Sequence, residues 1–158
     1  MTRSYQFDVD SPDQIQNIIG GILLEMDQAF QQADYTKEMQ DYLDKLNIVH
    51  EGYFDKDAGP SGEKWQPLAQ YTIQKKGHAT ILEEFRDMKR SVTESGAPGA
   101  IRSATHRGLV FGTSDEKSIF HQEGTGKIPK REFVGMGEQT VNELVEKVAD
   151  ATMEKITK

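Results

Sequence analysis

The sequence predicts an α+β fold: a long N-terminal amphipathic helix or helix pair, a small antiparallel sheet with a hairpin, and a C-terminal amphipathic helix. Three observations carry that expectation. Apolar residues recur at three- and four-residue spacing near the start (Ile15, Ile18, Ile19, Ile22, Leu23, Met26, Phe30). They do so again, in a narrower stripe, near the end (Val141, Leu144, Val145, Val148, Thr152, Ile156). Between these stretches, Ala100 to Ala104 and Leu109 to Thr113 flank the polar turn Thr105-His106-Arg107-Gly108, the pattern of a β-hairpin. With 158 residues, the chain is read as one domain, residues 1–158.

The elements follow in order. Tyr5, Phe7 and Val9 alternate with Gln6, Asp8 and Asp10, the period of a half-buried strand. Ser11 then reads as a helix cap, with Pro12 in the first helical position and Gln14 placed to close a capping box. Gly20 and Gly21 each cost the first helix roughly 1 kcal/mol against alanine, and a close backbone approach to another element is one reason to keep them. Asp34 or Thr36 caps a second helical stretch with Met39, Leu43, Leu46, His50 and Tyr53 or Phe54 on one side; the spacing leaves open whether it is a separate helix. On that face His50 reads as a satisfied interior histidine rather than a metal ligand, because no second histidine stands at helical spacing from it.

Asp55 to Gly62 is a polar loop rich in glycine and proline, and Trp65, Pro67 and Leu68 follow it. Trp65 reads either as a core peg whose indole N–H needs a partner or as an interface anchor, with the core peg favoured. Pro67 to Lys76 predicts a short helix ended by Gly77. Ser95 to Gly99 is a loop by composition. In the hairpin, Arg102, His106 and Arg107 are assigned to the tip, where charge keeps a sheet edge soluble or meets DNA or an acidic neighbour. The terminal helix is expected from about Glu138 to Ile156.

Composition excludes several classes. Cysteine is absent, so there is no disulfide framework, thiolate zinc site or cysteine nucleophile. No apolar run approaches the ~20 residues that cross a bilayer, and Met1 to Asp10 lacks a signal core; the chain is expected to be soluble, non-secreted and without a membrane partner. Gly124-Thr125-Gly126-Lys127 has the tail of a phosphate-binding loop, but His121 stands where its first glycine belongs and Ile128 where a hydroxyl must hold magnesium. His121 and Glu123 have the spacing of a zinc deaminase without the cysteines such a site requires. Asp8 and Asp10 share one side of a strand, which admits a magnesium pair but equally suits solvent-facing acids. No nucleophile elbow occurs. The sequence therefore predicts no catalytic residue, metal or cofactor.

The last third carries the most specific pattern. Asp115 to Gln122 reads as one or two helical turns stopped by Gly124 in the left-handed conformation; Pro129 sets a corner, Phe133 and Val134 are apolar anchors, and Gly135 and Gly137 free the chain to enter the last helix. The string Phe120-His121-Gln122-x-Gly124, then Ile128-Pro129-x-Arg131-x-Phe133-x-Gly135, resembles the phage virion morphogenesis family. A second block in the right order, Pro60-x-Gly62-x-x-Trp65-x-Pro67-Leu68-x-x-x-Thr72, strengthens the resemblance, which runs from about Phe54 to the C-terminus. One segment departs from it: Glu84-Phe85 stands where the family has Thr-Gly, so the expected strand over residues 80–90 competes with a helix through Ile81, Leu82, Phe85 and Met88.

The resemblance implies a non-enzymatic virion protein, made in the bacterial host cytoplasm, that acts in tail completion and head-tail joining at the neck or the head-proximal end of the tail. The implied partners are other copies of itself in a ring, together with the tail tube or terminator and head-neck proteins, and transiently DNA in the channel. Trp65, Phe120, Pro129 and Phe133 are expected to hold the subunit's shape. His121, Gln122, Arg131 and a mobile Gly96 to Gly99 loop are expected to meet neighbours, with His121 alternatively satisfying a local backbone group and Arg131 alternatively bridging to a carboxylate of the terminal helix. Charge is uneven: −8 over residues 1–74, +4 over 75–131 and −3 over 132–158. Arg86, Lys89, Arg90, Arg102 and Arg107 thus form a candidate basic assembly patch facing acidic helices of another copy. Two rivals are a DNA-contacting channel protein and a small phage-encoded hydrolase.

Overall fold

The computed structural model describes residues 12–83 and 86–157. The predicted strand Tyr5 to Val9, the Asp8 and Asp10 pair, the Ser11 cap and Glu84-Phe85 lie outside the described residues, as do the side chains of residues 12–15 and 18. The fold is α+β. In chain order it runs α1 (Pro12–Gln32), α2 (Thr36–Asp55), α3 (Gln70–Lys76), α4 (Asp87–Thr93), β1 (Ala100–Thr105), β2 (Gly108–Thr113), α5 (Ser118–Glu123) and α6 (Glu138–Thr157).

The central element is α2. Met39, Tyr42, Leu43, Leu46, His50 and Phe54 recur along it at helical spacing and are all buried. Helices α1 and α2 are separate, because the chain breaks at Ala33 to Tyr35, where the Asp34 carboxylate accepts the Thr36 N–H at 2.8 Å. Around α2 pack α4, the hairpin and α6. One apolar cluster gathers Phe54, Trp65, Ile81, Leu82, Met88, Val92 and Phe133; another gathers Tyr35, Met39 and Ala151 with Leu109, Leu144 and Val148.

The hairpin is antiparallel with Ala100 opposite Thr113 and Thr105 opposite Gly108, so only His106 and Arg107 form its tip. Arg102 is not at the tip. It pairs with Phe111 in mid-strand, and its guanidinium stacks 3.7 Å from that ring while donating to the side chain of Asn47 and the carbonyls of Ser91 and Gly112. Over residues 80–90 neither simple alternative holds: Ile81 and Leu82 are buried in a turn, and helix begins only at Asp87.

Three further points concern the long helices. The predicted apolar face of α1 is largely uncovered: Leu23 is 59 % exposed, and Ile19, Met26 and Phe30 are exposed too. No atom comes within 4 Å of where a side chain at Gly20 or Gly21 would sit, so those glycines mark no close approach. In α6 the packed line is Thr140, Leu144, Val148, Ala151 and Thr152, whereas Val141, Val145 and Ile156 face outward. Polar side chains decide which face of α6 docks: Tyr42 donates to the Thr140 carbonyl, and the Tyr35 and Thr152 hydroxyls share a 2.6 Å hydrogen bond.

Candidate interaction site

The two sequence blocks that stand about 65 residues apart fold against each other. Trp65 is buried, stacks edge-on to Phe54 at 5.4 Å, and donates its indole N–H to the Glu132 carbonyl at 2.9 Å. It is a core peg. The same carbonyl lies 2.7 Å from where a side chain at Gly59 would begin, so only glycine admits the contact. Phe133 is fully buried against Phe54. Gln122 locks the following strand-like segment: its side-chain oxygen accepts the N–H groups of Phe133 and Val134, and its amide donates to the Val134 carbonyl. All three of these hydrogen bonds are made within its own chain.

His50 closes this unit from below. Its Nδ1 lies 2.7 Å from the Leu46 carbonyl, and its Nε2 accepts the Gly135 N–H at 3.2 Å, which fixes the Nδ1–H tautomer. Burial, with a smaller contribution from Arg102, lowers its pKa to about 4 despite the opposing Leu46 bond. Tyr53 adds a hydrogen bond from its hydroxyl to the Gly135 carbonyl.

A groove of about 400 Å³ opens where the two blocks meet. Pro67, Leu68, Pro129 and Ile128 form part of its walls, and Leu82 and Met88 close its apolar side. Five cationic side chains line it (Lys76, Arg86, Lys117, Lys127, Arg131) against two carboxylates, Asp87 and Asp115. His121 faces it as well. Burial lowers the His121 pKa, Arg131 and Lys76 lower it further, and Asp115 opposes them.

Arg131 is only 5 % exposed, and its partners are main-chain carbonyls: Nε donates to Gln66 at 2.8 Å and Nη2 to Pro67 at 3.3 Å. The alternative bridge to a carboxylate of the terminal helix is not made. These same bonds explain why α3 starts at Gln70 instead of Pro67, since the carbonyls of Gln66 and Pro67 are held in an extended segment by the guanidinium. Gly77 ends α3 in the left-handed conformation, as expected. Helix α5 begins at Ser118 rather than Asp115, whose side chain caps the turn before it by accepting the Lys117 N–H. Gly124 ends α5 with φ +75° but ψ 166°, outside the left-handed helical region; a side chain there would sit 2.9 Å from the Lys130 nitrogen, so glycine serves close approach as well as backbone freedom.

Other expected site residues are dispersed. Phe120 is 49 % exposed and does not support the core. The Gly96 to Gly99 loop is a run of turns with Ala97 buried and the Gly99 carbonyl accepting the Ser114 N–H. Within the candidate basic patch, Lys89 pairs with Glu83 at 2.9 Å, Arg86 lies 3.9 Å from the same carboxylate, and Arg90 pairs with Glu94. Arg107 donates to the Phe30 carbonyl at 2.7 Å, tying the hairpin tip to the end of α1. All five therefore have a partner within their own chain, the Arg86 ion pair being the longest, and Arg86 alone of them lines the groove. As groove cations, Lys76, Lys117 and Lys127 were signalled in the sequence by no more than the positive balance of residues 75–131.

A match to the phage virion morphogenesis family covers residues 11–153. The chain belongs to that family. Among curated proteins it is similar to the Mu-like prophage FluMu G protein 1 of Haemophilus influenzae, with 28 % identity over 107 residues. That alignment covers 60 % of this chain and 63 % of the relative, so under two thirds of the relative's length is matched. No solved structure matches. Both blocks that build the groove fall within the region shared with the virion morphogenesis family. Among the described residues no helix is long and apolar enough to cross a membrane.

Proposed function

We propose that this chain is a non-catalytic subunit acting in tail completion and head-tail joining, at the neck or the head-proximal tail end, through a ring or cap of like subunits. The observation that carries this reading is the family match over residues 11–153. Its partners are further copies of itself and the tail tube, terminator or neck proteins, and its place is the virion after assembly in the host cytoplasm.

Geometry is the mechanism. A closed ring of identical chains needs two different, mutually complementary patches whose repeated rotation returns to the start. The uncovered apolar residues of α1 and the outward side of α6 supply one kind of surface, and the positive balance of residues 75–131 supplies another. Electron microscopy of the purified protein with and without tail tubes tests the reading. Rings, or density capping one tube end, are expected; protein that stays monomeric and leaves both tube ends bare contradicts it.

A further inference from the structure

We infer that the groove between the Trp65 and Arg131 segments is a binding site for a carboxylate carried on an acidic peptide segment of a partner chain. The inference goes beyond the assembly role, since it rests on the groove alone.

Three features point to an anion. The groove has a positive balance, five cationic side chains to two carboxylates, in a chain whose net charge is −7. Arg131 is buried, and among the described residues no carboxylate lies within ion-pair distance; two of its N–H groups go to carbonyls, and the rest of its donor fork meets no acceptor there. A buried guanidinium in that state is incompletely compensated, and an oxyanion in the groove completes it. His121 adds a buried Nδ1 with no hydrogen-bond partner, beside Arg131. Strain gathers here too: Leu82 and Arg86, which line the groove, hold φ near +60° without being glycine.

Recess and wall chemistry select a peptide over nucleic acid. The duplex backbone is a stiff rod whose phosphates are met by exposed lysine and arginine, and a guanidinium 5 % exposed lies below its reach. An Asp or Glu side chain enters such a recess, with neighbouring apolar atoms of the peptide resting on Leu82, Met88, Ile128 and Pro129.

The test titrates the full-length protein with a hexaglutamate peptide, following the His121 ring and Arg131 side-chain resonances by NMR and measuring the dissociation constant by calorimetry. Lys127→Glu and Arg86→Glu change exposed side chains, so folding is retained, and Lys37→Glu on α2 is the control outside the groove. The expected result is a shift of both reporters and a loss of affinity of about tenfold in each groove variant, with none in the control. Reporters that do not move, equal affinity in all variants, or tighter binding of a duplex DNA oligonucleotide at the same reporters would overturn the assignment.

Discussion

His50 joins the first half of the chain to the family motif, because its unprotonated Nε2 is the acceptor for the Gly135 N–H. Protonation destroys that acceptor. Its folded pKa of about 4 lies below the ordinary histidine value of 6.5, so between those values the unfolded chain binds more protons. The stability His50 contributes is therefore fully present above pH 6.5 and is lost as pH falls toward 4, by about 3 kcal/mol in all. Urea denaturation at pH 7.5 and 4.5 should show this loss, and His50→Gln, which keeps an acceptor but does not titrate, should reduce the pH dependence in that window. An unchanged slope in the variant would mean that other groups carry it. The interior placement of His50 was legible from helical spacing alone. Arg131 was not legible, because its acceptors are main-chain carbonyls about 65 residues away and carbonyls carry no sequence signature.

Glycines behave oppositely in different elements, and the contrast is testable. In α1, Gly20 and Gly21 meet nothing within 4 Å, so alanine at both relieves a helix-propensity cost of about 1 kcal/mol per site. At the end of α5, Gly124 has positive φ and no room before Lys130, so Gly124→Ala should destabilise the fold by about 1–3 kcal/mol. Hydrogen exchange should slow along α1 in Gly20→Ala/Gly21→Ala, while thermal unfolding of Gly124→Ala should move to lower temperature. Slower unfolding of Gly124→Ala, or faster exchange in α1 of the double variant, would contradict these local accounts. Helices α1, α2 and α6 and the hairpin were readable because period 3.6 and period 2 are local properties. What covers a helical stripe is not local. Amphipathicity marked the α1 face as apolar but held no information on whether this chain or another one covers it, and the side of α6 that docks was chosen by hydrogen bonds from Tyr35 and Tyr42.

At the scale of the whole molecule, the two motif blocks act as one unit that holds a groove open at the surface, while α2 and α6 are clasped behind it. Ion pairs across that clasp, Lys45 to Glu143, Lys147 to Asp41 and Lys155 to Glu38, are exposed or partly so and each contributes little. Apolar packing and the tyrosine hydrogen bonds hold the clasp, so salt should affect contacts between chains more than the fold of one chain. The assembly surfaces proposed for the chain are those that its own fold leaves uncovered, on α1 and α6, and the groove, whose lining carries more cations than carboxylates.

The central claim is that the protein acts by fitting against other virion parts, and deletion of its gene from the phage or prophage that encodes it tests this most directly. The account predicts filled heads and separate tails that fail to form stable infectious particles, with joining restored when the wild-type protein is supplied. Infectious particles at normal titre, with heads firmly attached to tails in the absence of the protein, would contradict it.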